Sequence, residues 1–225
     1  MKLKIDYLDN IIEIIDGQIT VIEIENKSYF YRIVKSIYEI EKCGFSENVT
    51  FFDDKDMEKS MFGKLKVYVN YFELDFDSKK LLTDINKYLC HSIEQEENMT
   101  LQKNYKNLVN SYKKILNNVD IPLTVDEEFR IDNLMKILKF KIRKQEDLIN
   151  NLFLIIDIEN MFKQNNILVF VNLKQYLNKV ELNELYKYAI YNQIKIMLVD
   201  SWCYGGTQEY EKKLIIDENL EEFML

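Results

Sequence analysis

The residues with the clearest chemical potential are five cations in a short tract: Lys136, Lys139, Lys141, Arg143 and Lys144, with no acidic residue between Asp132 and Glu146. If the tract is helical, Lys136, Lys139 and Arg143 form one stripe; if it becomes a strand after Leu138, Lys139, Lys141 and Arg143 share one face. Either arrangement is a row of charge able to track phosphates without reading bases. The competing reading is a solvated face with Ile137, Leu138, Phe140 and Ile142 interleaved as core residues. The formal net charge of −8 sharpens the question, because an acidic chain can meet nucleic acid only through a concentrated local basic path.

A second group is acidic. Asp120, Asp126, Glu127, Glu128 and Asp132 gather around the break at Pro122, where irregular backbone adds carbonyl oxygens. Calcium takes about six to eight oxygen ligands in a flexible shell, so this is a candidate metal set, although its spacing is not that of an EF-hand loop. The same residues also suit a structural role. Asp126 can cap the following helix, with Glu127 and Glu128 favouring its positive N-terminus by about 0.3–1 kcal/mol each. Glu94, Glu96 and Glu97 form another acidic group that could join from a neighbouring leg.

Two further carboxylate patterns bear on catalysis. Asp200, after the apolar run Ile196–Val199, resembles a Walker B carboxylate, which beside a phosphate-binding loop would help hold magnesium. The loop motif G-x-x-x-x-G-K-[ST] is absent, and Gly63-Lys64 is followed by Leu65. Asp200 therefore reads as a strand-end cap or a relic. Asp16 with Glu25-Asn26-Lys27 fits the D…E-x-K carboxylates through which restriction-type nucleases hold paired metals, a pattern short enough to arise by chance. A single histidine, His91, and three well-separated cysteines, Cys43, Cys90 and Cys203, leave Ser-His-Asp, Cys-His, zinc and disulfide chemistries without their partners. The 15 tyrosines and 13 phenylalanines recur mostly at helix or strand spacing, which favours burial and subunit interfaces over base stacking.

These groups need elements to position them. Five glycines and one proline imply regular structure with few linkers. Leu3–Leu8, Ile11–Ile15 and Ile19–Ile24 read as a strand meander turned at Asp9-Asn10 and Asp16-Gly17. Phe30, Ile33, Val34, Ile37 and Ile40 then mark one face of a helix over 27–41. Short strands are expected at Phe51–Asp54 and Lys66–Asn70. From Ser78 the spacing predicts a long helical hairpin through Leu116, and after Pro122 a third helix carrying Ile131, Leu134 and Leu138, capped by Thr124 or Asp126. A helix from about Gln145 to Lys163 leads into the buried strand Ile167–Val171, a helix with Leu182, Leu185, Tyr186 and Ala189, and a second buried strand, Ile194–Val199. Strand, helix, strand implies a parallel right-handed crossover. Leu214–Ile216 adds a last strand. The fold class is α/β: a discontinuous head from residues 1–77 and 139–225, with residues 78–138 inserted as an α-helical leg. No run of about eighteen apolar residues occurs, and MKLKIDYLDN soon meets acids, so the cytoplasm is the expected compartment.

Several segments together carry a family likeness. Phe51-Phe52-Asp53-Asp54-Lys55, Leu74-Asp75-Phe76-Asp77-Ser78, Leu123-Thr124-Val125-Asp126-Glu127, and Leu168-Val169-Phe170-Val171-Asn172 leading to Tyr176-Leu177 occur in order across nearly the whole chain. In that order and at that spacing they resemble the short members of the Csn2 family, adaptation proteins of type II-A CRISPR systems. Trp202-Cys203-Tyr204-Gly205-Gly206 departs from it. The resemblance implies a head similar to a P-loop NTPase core without its phosphate loop. It further implies a homotetrameric ring, double-stranded DNA ends held in a positive central hole, stabilising calcium ions, and no enzymatic turnover. The expected role is new spacer acquisition alongside the CRISPR integrase proteins and effector nuclease of the same locus. Within that frame the basic tract is the leading DNA contact and the acidic group around Pro122 the calcium set. The alternatives are a degenerate NTPase or metal-dependent nuclease acting on DNA, and a scaffold whose basic tract lies at a subunit interface.

Overall fold

The computed structural model describes residues 1–93, 95–118, 120–162 and 166–225, and among these the side chains of all but 95, 135 and 136. The chain forms two compact units, Met1–Leu74 with Gln145–Leu225, and Asp75–Lys144.

The first unit begins with β1 (Lys2–Ile5) and β2 (Ile11–Glu13), which pair antiparallel. The next strand, β3 (Ile19–Ile24), leaves them for a different sheet, so Asp16-Gly17 is not the hairpin turn its sequence suggests and the expected meander is corrected. Hydrophobic burial explains the departure: all six residues of β3 are buried, a requirement met by the centre of a parallel sheet and not by a solvated hairpin. The helix α1 (Lys27–Cys43) follows after two residues, its first turn held by Asn26, whose side chain accepts from the Tyr29 N–H at 3.0 Å. Tyr29, Ile33, Ile37 and Ile40 form its buried stripe.

Gly44 ends α1 with φ 90°, its N–H donating to the Ile40 carbonyl at 2.8 Å. A Cβ there would press on Ser60 Oγ and come within 3.1 Å of Phe62 Cβ. Gly44→Ala should therefore cost about 1–3 kcal/mol, read as a lowered urea midpoint at unchanged m-value.

β4 (Val49–Phe52) pairs with the other side of β1, completing a small sheet ordered β2-β1-β4, and β5 (Leu65–Tyr68) joins the large one. Among the described residues the second unit holds α2 (Lys79–Ser92), α3 (Gln95–Leu116) and α4 (Ile131–Leu138), with α2 packed against α4. The chain then returns through α5 (Leu148–Phe162), β6 (Ile167–Val171), a short 3-10 turn at Leu173–Gln175, α6 (Lys179–Tyr191), β7 (Lys195–Asp200), β8 (Glu211–Ile216) and β9 (Glu222–Met224). The helix expected to reach Lys163 is described to Phe162; residue 163 lies outside the described residues.

The large sheet runs β5-β6-β7-β3-β8-β9, parallel except at β9. The β6-α6-β7 unit is the predicted parallel crossover. Side chains alternate between the faces of a strand, and the two faces differ in kind. One is apolar: Ile22, Ile24, Val169, Met197, Val199, Leu214 and Ile216 form a single core with α1 and the small sheet. The opposite face carries Glu23, Asp200, Glu211 and Lys213, all largely or fully buried, with Tyr186 of α6 bonded to Glu211 across it.

Candidate functional site

The basic tract takes neither regular form expected of it. α4 ends at Leu138, Lys139 adopts a left-handed backbone (φ 32°, ψ 89°), and residues 139–144 have no helix or strand. Exposure nonetheless alternates: Lys139, Lys141 and Arg143 are exposed, while Phe140 and Ile142 between them are half-buried. Three cations thus point outward over two apolar anchors, the side-chain pattern of an extended chain without a partner strand. Lys144 is also exposed; the Lys136 side chain lies outside the described residues. Ile137 and Leu138, expected as core, are 75% and 65% exposed. Residues 75–77 and 139–144, placed in the head by the sequence, fall in the second unit.

Among the described residues Lys139 and Lys141 form no ion pair. They line a cavity of about 370 Å³ together with Asp77, Leu82, Asn86 and Phe140. Two cations at one cavity could receive an anion.

The acidic group does not converge. Asp120, Asp126, Glu127, Glu128 and Asp132 are all exposed. Asp126 accepts from the Glu128 backbone N–H at 3.0 Å, and Glu127 pairs with Lys113 of α3. Helix α4 starts at Ile131 with Arg130 in the cap position and no side-chain cap, so neither Thr124 nor Asp126 caps it; the carboxylate of Asp126 is turned into its own loop. Asp132 sits in the first turn of α4. Glu94 lies outside the described residues. No group of three or more His, Cys, Asp or Glu side chains able to hold a metal occurs among the described residues.

The nuclease-like pattern is also taken apart. Asp16 precedes β3 and pairs with Lys195 at 3.2 Å, while Glu25 follows β3. The six-residue strand between them separates the two by roughly 20 Å at strand rise. All three cysteines are free, and burial, with Glu25 beside it, pushes the Cys203 thiol up to about 12.

The densest electrostatics lie under α6, where the sequence pointed only to Asp200. Lys174 Nζ reaches Glu23 at 3.0 Å and Glu211 at 2.8 Å; Lys213 Nζ reaches Glu23 at 3.0 Å and the carbonyls of Gly205 and Gly206 at 3.0 and 3.3 Å. Tyr186 donates to Glu211, and the backbone N–H groups of Tyr204 and Gln208 donate to Glu23 and Glu211. Burial works against the Lys174 charge, but Glu211 and Glu23 outweigh it and raise its pKa; Glu211 is in turn held low against burial, chiefly by Lys174. Asp200, next to Glu23 in register, has two buried oxygens without a well-formed hydrogen bond. Burial pushes its carboxyl up to about 7, opposed by Lys174 and reinforced by Glu23 and Glu211. A signal was available in the sequence: Glu23 is the one charged residue in an otherwise apolar and threonine strand, ITVIEI.

The family of CRISPR-associated proteins designated Cas_Csn2 matches residues 44–220. The chain belongs to the Csn2 family. A CRISPR-associated protein Csn2 of Streptococcus agalactiae is 26% identical over 207 residues, covering 89% of each chain. The crystal structure of Stu0660 of Streptococcus thermophilus is similar in fold, with a TM-score of 0.59 at 15% identity over 98% of this chain and 76% of the other. The span matched to the Csn2 family takes in the basic tract, the acidic group around Pro122 and the Lys174, Asp200, Glu211 and Lys213 side chains; Glu23 lies before it. No helix among the described residues is long and apolar enough to cross a membrane.

Proposed function

We propose that the chain is a non-catalytic, ring-forming protein that holds double-stranded DNA ends during spacer acquisition in a type II-A CRISPR system, in the cytoplasm, together with the integrase proteins and effector nuclease of its locus. The observation that carries the DNA role is the tract at Lys139, Lys141 and Arg143: exposed cations on apolar anchors, concentrated in a chain of net charge −8. Such contacts bind phosphates of any sequence, as spacer capture requires.

Homotetramer formation is supported by the thin core of the second unit. Among its described residues only Phe76, Ile85 and Val109 are buried apolar side chains. Leu108, Tyr112 and Ile115, at helical i, i+4, i+7 spacing on α3, are 65%, 49% and 61% exposed. A unit of this size needs more burial than that to hold its helices, and neighbouring subunits would supply it. Calcium belongs to the proposal as an ion shared between subunits, because among the described residues no three carboxylates of one chain gather into a shell: Asp126 is engaged by its own loop and Glu127 by Lys113.

Sedimentation velocity with and without calcium, on linear and then closed circular duplex of one sequence, tests the reading. A calcium-stabilised tetramer that loads on linear DNA and scarcely on circular DNA is expected; a calcium-indifferent monomer that ignores both would sink it. The variant Lys139→Ala, Lys141→Ala, Arg143→Ala should weaken binding to all duplex sequences alike and lower the salt slope by about one for each cation removed. Unchanged affinity would assign the tract to a subunit interface.

A further inference from the structure

We infer that the cavity lined by Lys139 and Lys141 is a binding pocket for a nucleoside monophosphate group, presented by a 5′-phosphorylated DNA end or by a free nucleotide. The inference rests on the proposed DNA role for its first source and stands apart from it for the second.

Three observations combine. The cavity, about 370 Å³, falls within the range of about 300–1,000 Å³ that small-ligand sites occupy. Its charged lining residues are Lys139 and Lys141 against Asp77, a net positive set suited to a phosphate. Its apolar lining is Leu82 and the half-buried ring of Phe140, a surface against which a base can stack.

The remaining lining residue gives the pocket a polar demand that the protein leaves unmet. Asn86 Oδ1 is buried and accepts no hydrogen bond. If the Asn86 side chain turns that oxygen toward the cavity, a base bearing an exocyclic amino group would supply the donor it lacks. The left-handed backbone of Lys139 fits the same account. It is an unfavourable conformation for a lysine, and it stands where the chain leaves α4 and brings Lys139, Phe140 and Lys141 to the cavity.

The test uses the full chain and fluorescence anisotropy with blunt duplexes identical except for 5′-phosphate or 5′-hydroxyl ends, alongside calorimetry with dAMP, deoxyadenosine and inorganic phosphate. Phosphorylated ends are expected to bind about tenfold more tightly than hydroxyl ends, a difference of about 1.4 kcal/mol. In calorimetry dAMP should bind and deoxyadenosine should not. Leu82→Trp fills the cavity without removing its charged side chains, so it should abolish the end preference and dAMP binding. Asn86→Ala, read beside it, guards against a misfolded tryptophan variant and should weaken dAMP more than inorganic phosphate. Duplex binding with no end preference and no dAMP binding would overturn the pocket and leave the proposed function standing. A phosphate preference that survives both variants would also overturn it. Binding of dAMP that Leu82→Trp removes, in a chain that ignores duplex, would establish the pocket with free nucleotide as its source and remove the DNA-end reading.

Discussion

Lys174→Met is expected to destabilise the first unit by about 3–5 kcal/mol, more than any surface substitution in the chain. Lys174 is buried between Glu23 and Glu211, at 3.0 and 2.8 Å, and all three side chains are at most 2% exposed. Methionine keeps most of the volume and removes the charge, leaving two buried carboxylates with Lys213 as their remaining cation. The loss is therefore mostly the cost of uncompensated charge and not of lost packing. Urea unfolding followed by circular dichroism gives the number. Lys66→Met is the control: Lys66 pairs with the buried Glu159 but is itself 37% exposed, so water can take over part of its role and the loss should be smaller. Adding Glu211→Gln to Lys174→Met should restore part of the stability, because one orphaned carboxylate is removed with its partner while Glu23 keeps Lys213 at 3.0 Å. A loss below about 1 kcal/mol for the single variant would show that the network is not coupled.

That network marks where the sequence was legible and where it was not. The buried strands β6 and β7 and the helices α1 and α6 announced themselves through runs and spacings within about twenty residues. The position of β3 did not, because its neighbours β7 and β8 come from residues 195–216, and no local signal says that Asp16-Gly17 joins strands of two different sheets. Glu23 was visible as an odd charge in an apolar strand, but Lys174 and Lys213 resemble surface lysines until the topology buries them beside it. The basic tract was legible in part: the left-handed turn at Lys139 ends the helix and residues 139–144 join no sheet, yet Lys139, Lys141 and Arg143 are exposed together as the extended alternative expected. Around Pro122 the composition suited calcium, yet composition does not say which way carboxylates point. Asp126 and Glu127 found partners in their own loop and on α3.

Asp200 carries the second large effect, and its sign follows from its two ionisation constants. Burial raises its carboxyl from 3.8 to about 7 in the folded chain. Between about pH 4 and pH 7 the unfolded chain has lost this proton and the folded chain retains it, so the contribution of Asp200 is fully present below pH 4 and falls away as pH rises through 7. Its upper limit is about 4 kcal/mol, because each tenfold change in proton affinity between the two states is worth about 1.4 kcal/mol. Charge counting on the buried face points the same way: Lys174 and Lys213 balance Glu23 and Glu211, and an ionised Asp200 would be a fifth, unmatched charge. Asp200→Asn keeps the shape and removes the titration. Its stability relative to the parent chain should be near zero at pH 4 and favourable by about 2–4 kcal/mol at pH 8. The difference between the two urea curves isolates Asp200, because Glu211, held low by Lys174, titrates in both proteins and works in the opposite direction, losing its contribution as pH falls. Parallel pH profiles for variant and parent would mean that Asp200 is ionised in the folded protein throughout, and that its two buried oxygens have found a counter-charge.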